Sequence, residues 1–195
     1  MKLEIFIILF FIWVIFIKED TIHYGKGVIA PNTPIQTTTD KKPFDFKGYT
    51  ITPLRYFKIE AKVLSKERYR FDSGSELSPM DLVLGWGRMS DEDVLKDIKI
   101  SQNGRWYYWS TDHFPIPRRE IETHSANMHM IPANKEIENM LYKIDKGALI
   151  SLEGYLVSVD KPDGYYWKSS LTRDDTGAHA CEVVFVTNLT IIDKN

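Results

Sequence analysis

Cysteine is nearly absent from this chain of 195 residues, in which Cys181 stands alone. One cysteine excludes an internal disulfide bond and a thiolate metal cluster. The chain also lacks an excess of either charge, because 25 Lys and Arg residues stand against 27 Asp and Glu residues. A near-neutral chain has no basic footprint for bulk nucleic-acid binding. Internal repeats, a His-Glu-x-x-His metal motif and a Gly-x-Ser-x-Gly nucleophile motif are missing as well, so no motif names an activity.

A strongly apolar run stands at the front of the chain. Leu3 to Ile17 holds one charge, Glu4, and is flanked by Lys2 and Lys18. As a helix it would span about 22 Å, short of the ~30 Å hydrocarbon layer unless the lysines reach to the interfaces. A cleaved signal peptide and an uncleaved anchor both fit the run, and the lack of small residues for a cleavage site favours the anchor. We therefore predict an N-terminal transmembrane helix within residues 1–20, at the cell membrane, with the rest of the chain outside the cytoplasm.

The next segment, residues 21–48, is rich in Gly, Pro and Thr and has no sustained hydrophobic period. Such a composition indicates a flexible tether. The folded domain is then predicted to cover residues 49–195.

A helix followed by a strand is the clearest pattern in that domain. Asn134 is a favourable N-cap, and apolar residues recur after it with helical spacing up to Ile144. Gly147 provides a residue suited to the left-handed conformation that ends such a helix. From Ile150 onwards the apolar residues alternate with polar ones, which predicts a strand.

The remaining strands are predicted at 49–64, 81–89, 105–110, 165–167 and 181–192. Asn103-Gly104 is predicted as a hairpin turn between the strand-like runs 98–102 and 105–110, and a short acidic helix is predicted after Ser90. Residues 111–134 are predicted to be irregular, because three prolines interrupt them. The order of three strands, a helix and two strands resembles an OB-fold, a five-stranded barrel with a helix between its third and fourth strands. The predicted fold class is therefore mainly β with one or two helices, as an OB-like barrel with insertions. An SH3-like barrel and an α+β sheet remain open.

An aromatic run, Arg105 to Trp109, is the first candidate for binding. The OB resemblance implies that the third strand faces the ligand, and exposed rings on it would stack against bases or sugars. The alternative is that these rings fill and cover the barrel. The predicted ligand-binding residues are Arg105, Trp106, Tyr108, Asn127 and Trp167.

Two polar segments carry the candidates for catalysis. His124 and His129 lie before the central helix, whereas Arg173 and Asp174 lie in a later loop. Histidine and carboxylate suit acid–base chemistry, and we predict that any catalysis occurs where the two segments meet. The alternative is that both are ordered polar loops. The histidine spacing is poor for metal binding, so neither a metal nor another cofactor is predicted.

These observations predict a membrane-anchored, extracytoplasmic domain that binds a protein, peptide or glycan. The alternative is a membrane-anchored hydrolase that uses His124 or His129 with Arg173 and Asp174. A nucleic-acid-binding OB domain facing the cytoplasm is the third hypothesis, and the charge balance argues against it.

Overall fold

A computed structural model of the chain describes residues 21–72, 74–172, 177 and 180–192. The predicted transmembrane segment at residues 1–20 lies outside the described residues, as do Arg173 and Asp174. Within the described part, no helix combines the length and the hydropathy that crossing a bilayer requires.

The described residues form ten strands and three short α-helices. The strands are β1 (Ile35–Thr37), β2 (Phe44–Phe46), β3 (Tyr49–Arg68), β4 (Met80–Gly85), β5 (Lys99–Asn103), β6 (Trp106–Ser110), β7 (Ser125–Pro132), β8 (Leu149–Asp160), β9 (Tyr166–Lys168) and β10 (Glu182–Ile192). The helices are α1 (Glu92–Leu95), α2 (Arg118–Thr123) and α3 (Lys135–Lys143), and a 3-10 turn covers Gly87–Ser90. The predicted class, mainly β with few helices, is confirmed.

Five strands close into a ring of hydrogen bonds. Strand β3 pairs antiparallel with both β4 and β8, and β4 pairs antiparallel with β7. Strand β7 runs parallel to β10, and β10 returns antiparallel to β8. This closed ring is compatible with a barrel-like fold.

The interior of the ring is filled by alternate residues of its strands. Leu82 and Leu84 of β4 and Met128 and Met130 of β7 are fully or almost fully buried in the main core. Because successive side chains of a strand point to opposite faces, the odd-numbered residues of β4 and β7 lie on the outer face of the ring. That outer face carries the candidate functional site.

The close packing of β8 against β10 depends on Gly154. A Cβ atom at this position would lie 2.0 Å from the main-chain oxygen of Phe185. The neighbour is backbone, so it cannot move aside as a flexible side chain could. No residue with a Cβ atom fits at position 154, so glycine is required there.

Helix α3 follows the predicted pattern. The side chain of Asn134 accepts a hydrogen bond of 2.9 Å from the amide of Ile137, as an N-cap does. The helix ends at Lys143, and its buried residues Ile137 and Leu141 pack into the main core. Gly147 has a φ of +88°, which is the left-handed conformation expected of it.

The prediction for residues 111–134 is wrong. This segment contains α2 and β7, and β7 is the third strand of the ring and is buried along its whole length. The predicted hairpin around residues 103–104 is present as β5 and β6, but it is a separate two-stranded sheet, so residues 105–110 are not the third strand of the ring. The reason is that Ala126, Met128 and Met130 fill the ring interior, although they are not typical strand residues.

The structure places residues 21–48 differently from the predicted flexible tether. Residues 21–30, the N-terminal strap, pack on the ring, and Ala30 is fully buried. Two carboxylates at the start of α1 bind the strap. The amide of Tyr24 donates to Glu92 Oε1 over 2.8 Å, and the amide of Gly27 donates to Asp91 Oδ1 over 2.9 Å. Strands β1 and β2 then pair with β3. Backbone hydrogen bonds and buried apolar residues thus fix a segment whose composition indicates a linker.

Candidate functional site

The hairpin of β5 and β6 lies over the outer face of β4 and β7. Its turn consists of Gly104 and Arg105, with φ values of +58° and +72°, which are the two positive values of a type I′ turn. On β6 the side chains alternate: Trp106 and Tyr108 are 44% and 52% exposed, whereas the intervening Tyr107 packs towards the ring. The Oη of Tyr107 lies 2.6 Å from the Oγ of Ser125 on β7. The hairpin therefore exposes one aromatic face to solvent, and its other face packs against the ring.

Arg105 fastens the turn of the hairpin to the ring. Its Nε and Nη2 donate to the two carboxylate oxygens of Asp72 at 2.7 and 2.9 Å, and its Nη1 donates to Asp81 Oδ1 at 2.9 Å. The remaining donors reach Ser78 Oγ and the Ser78 carbonyl. All five guanidinium N–H groups are thus used within the chain. This explains how a left-handed arginine, which costs about 1–2 kcal/mol, is tolerated.

These contacts change the protonation equilibria of the pair. The hydrogen bond from Arg105 holds the pKa of Asp72 below its ordinary value. Burial opposes the charge of Arg105, but the hydrogen bond to Asp72 and the charges of Asp81 and Asp72 raise the pKa of Arg105. Arg105 therefore stays positively charged and binds the hairpin turn to Asp72 and Asp81.

Asp81 and His129 face each other across β4 and β7. Asp81 is fully buried, and its Oδ2 lies 2.9 Å from Nδ1 of His129, at an angle outside hydrogen-bond geometry. Nε2 of His129 has no hydrogen-bond partner among the described residues. The ring of Trp167 covers the histidine, with 4.6 Å between the ring centroids. His129 is therefore a buried histidine, 3% exposed, which lies between Asp81 and the ring of Trp167.

Asn127 is buried and joins the hairpin to β7. Its Nδ2 donates to the carbonyl of Arg105 over 3.0 Å, and its Oδ1 accepts from Gln102 over 2.9 Å. Both ends of the amide are therefore engaged within the chain.

Two clefts meet at this outer face. The hairpin cleft has a volume of about 550 Å³ and follows β6 from Trp106 to Ser110, with residues 125–127 of β7 in its lining. The histidine cleft has a volume of about 430 Å³ and is lined by Arg105, His129, residues 165–167 and others. Trp106, Gly177 and Cys181 line both clefts, so the two form one continuous surface.

The charged residues in the described lining form pairs. In the hairpin cleft, Arg118 Nε lies 2.8 Å from Glu122 Oε1. In the histidine cleft, Arg105 is bound to Asp72. The lining is therefore aromatic and polar, with its positive and negative charges balanced.

The structure brings most of the predicted site residues together. Trp106, Tyr108 and Trp167 line the clefts, while Arg105 and Asn127 hold the hairpin in place. His129 lies in the histidine cleft. His124 lies elsewhere, at the end of α2, with its ring 6.2 Å from that of Trp86 and its Nδ1 3.0 Å from the Oγ1 of Thr123. Direct ligand contact stays a prediction for all of these residues.

Sequence reasoning missed Asp81 and Asp72, the two carboxylates that organise the site. A signal for Asp81 was present, because it lies within the apolar stretch Met80 to Leu84. A buried carboxylate requires a partner, and Arg105 is that partner. No comparable signal points to Asp72.

Comparison of the chain with protein-family models, with curated proteins and with solved structures finds no match.

Proposed function

We propose that this chain is a binding domain that takes an uncharged ligand in the continuous surface formed by the hairpin cleft and the histidine cleft. The observation that carries the proposal is the exposure of Trp106 and Tyr108 on one face of β6 beside these clefts. Exposed aromatic rings next to a concave polar surface are typical of ligand sites. A rigid hairpin, held by Arg105, keeps the rings in position.

The charge balance decides between ligand classes. A nucleic-acid site needs cationic groups that are available for phosphates. The two arginines in the described lining are already paired with Asp72 and Glu122. This favours a protein, peptide or glycan ligand over nucleic acid.

We also propose that the ring is a barrel of the OB type. The position of α3 between the third and fourth ring strands, β7 and β8, supports this proposal. OB folds bind ligands across the outer face of their second and third strands. In this chain those strands are β4 and β7, and residues of β7 line both clefts.

The apolar run Leu3 to Ile17 supports a further part of the proposal, that the domain is held at the cell membrane on its outer side. If so, the full-length chain stays in the membrane fraction after a carbonate wash. A mature N-terminus near residue 20 would contradict the anchor.

Binding is tested with immobilised arrays of neutral glycans and of peptides. We expect the chain to bind members of one array, and the double variant Trp106→Ala with Tyr108→Ala to bind at least tenfold more weakly. Phe71→Ala is the matched control, because Phe71 is 97% exposed and does not line either cleft. Equal loss of binding in the control, or no binding on either array, would contradict the proposal.

A hydrolase is the second candidate, favoured by the contact of Asp81 with His129. A histidine whose Nδ1 lies beside a carboxylate can act as a general base through Nε2 once the two groups align. We expect His129→Gln to lower hydrolysis of nitrophenyl esters at least tenfold and His124→Gln to leave it unchanged. The hydrolase candidate fails if the unaltered chain shows no hydrolysis or if the two variants behave alike.

A further inference from the structure

We propose that the hairpin cleft binds an extended segment of a partner protein, which adds a third strand to the hairpin along the free edge of β6. This inference rests on the proposed function and assigns a ligand class to it. The contacts are then made chiefly by the main chain of β6, with the aromatic side chains setting the preference for particular residues.

The register of the hairpin identifies which main-chain N–H and C=O groups of β6 are not hydrogen-bonded to β5. Asn103 pairs with Trp106 next to the two-residue turn, Gln102 with Tyr107, and Ser101 with Tyr108. Hydrogen-bonded and non-hydrogen-bonded pairs alternate in an antiparallel ladder, and the pair that closes a two-residue turn is hydrogen-bonded. The main-chain N–H and C=O groups of Tyr107 and Trp109 therefore point away from β5.

These groups have no main-chain partner among the described residues. Among the described strands, β6 pairs only with β5. The backbone hydrogen bonds that the described residues make outside strands and helices include none from the main chain of Tyr107 or Trp109. An unpaired strand edge is a template for another extended chain. The edge of β6 thus offers two donors and two acceptors in a regular row.

The space beside this edge fits a strand. The hairpin cleft follows β6 from end to end, with Ser125 to Asn127 of β7 also in its lining. Five residues of β6 extend over about 17 Å at ~3.4 Å per residue. A segment of about five residues therefore matches the length of the edge.

The pattern of groups selects a peptide over a glycan. Only a main chain presents alternating donors and acceptors at the spacing of a second strand, which is the basis of recognition by strand addition. At the peptide positions opposite Tyr107 and Trp109, aromatic or β-branched residues are expected to bind best. The balanced charge of Arg118 and Glu122 favours a segment without net charge.

The test uses the full chain labelled with ¹⁵N and a capped peptide, acetyl-Thr-Val-Thr-Tyr-Thr-Val-Thr-amide. We expect the amide exchange of Tyr107 and Trp109 to slow about tenfold or more at saturating peptide. The amides of Trp106 and Tyr108, which already face β5, serve as internal controls and should keep their rates. The same peptide with N-methyl groups on two neighbouring central residues blocks both of its edges and should bind about tenfold more weakly.

Two protein variants separate the main chain from the side chain. Trp109→Ala and Trp109→Pro both remove the indole, but only the proline removes the N–H that faces the cleft. Proline is tolerated on an edge strand where its nitrogen faces outward. We expect Trp109→Pro to bind at least tenfold more weakly than Trp109→Ala. The two variants should match each other in the amide spectrum of the ring strands, because both lack the indole.

The outcomes distinguish this inference from the proposed function. If neutral glycans bind at Trp106 and Tyr108 and the peptide does not, strand addition is overturned and the binding domain stands. If neither binds, both proposals fail. If the methylated peptide binds as well as the unmodified one, the peptide is held by its side chains and strand addition is overturned.

Discussion

Nη1 of Arg105 donates a hydrogen bond of 2.9 Å to Oδ1 of Asp81, a carboxylate with no exposed side-chain surface. This contact joins the turn of the hairpin to the second strand of the ring. It also supplies the main positive charge next to a buried negative one. This ion pair therefore acts with the contacts of Asn127 and Tyr107 to position the aromatic surface.

Replacement of Arg105 by lysine should destabilise the chain by about 2–4 kcal/mol, because lysine cannot supply the fork of donors that Asp72 and Asp81 accept. Urea unfolding followed by tryptophan fluorescence measures the change. Arg118→Lys is the control, since Arg118 is largely exposed and its pair with Glu122 is worth under ~1 kcal/mol. Equal stability of the two variants would contradict the role given to Arg105.

Replacement of Glu92 by glutamine should weaken the attachment of the N-terminal strap to the ring. Burial raises the pKa of Glu92, but hydrogen bonds from Lys62 and from the amide of Tyr24 outweigh it and lower the pKa to about 2 from an ordinary value of 4.5. Because the folded pKa lies below the ordinary one, the carboxylate stabilises the fold above pH 4.5, and this contribution is lost as the pH falls from 4.5 towards 2.

We therefore expect Glu92→Gln to lower the free energy of unfolding by about 1–2 kcal/mol at pH 7 and by much less at pH 2.5. Thermal unfolding at the two pH values measures this difference. Glu60→Gln is the control, because Glu60 makes no ion pair among the described residues. A loss for Glu92→Gln that is the same at both pH values would rule out the carboxylate as the cause.

Replacement of Gly154 by alanine should cost about 2 kcal/mol or more, because the new Cβ would meet the Phe185 oxygen at 2.0 Å. Gly74→Ala is the matched control: its Cβ would meet Arg105 and Tyr165 at 3.5 Å, which is ordinary contact. Calorimetric melting temperatures should therefore fall for the first variant and stay within a few degrees for the second. Similar melting temperatures would show that β8 and β10 can separate.

Replacement of Asn134 by alanine should cost about 1 kcal/mol, since the amide of Ile137 loses its acceptor. Asn134→Ser keeps a capping oxygen and should stay within a few tenths of a kcal/mol of the original chain. Chemical unfolding of the three chains gives the comparison. An equal loss for serine and alanine would mean that the cap contributes little.

The same residue shows what could be predicted from sequence. The cap at Asn134, the apolar face of α3 and the alternation in β8 are local patterns, and the structure confirms them. Strand β7 was missed because three prolines in residues 111–134 indicated irregular structure, and because its buried face consists of Ala126, Met128 and Met130, residues with weak strand preference. A period of two was present there, but composition outweighed it.

The site was harder to predict than the fold. Its aromatic residues were visible as a run, but the contacts of Arg105 join Asp72, Ser78 and Asp81, which are more than twenty residues away along the chain. Such long-range pairing leaves no periodic trace in a sequence. The strap was missed for a similar reason, because Glu92 and Asp91 bind its backbone amides from about 65 residues away along the chain.

The strap also limits how far the domain can stand from a surface. The amide of Ile22 donates to the carbonyl of Lys146 over 2.8 Å, so the chain is already seated on the ring at that residue. Only four peptide units separate Ile17 from Thr21, and fully extended they reach about 13 Å. If the proposed anchor lies in a bilayer, this short connection would keep the strap end of the domain near the lipid headgroups.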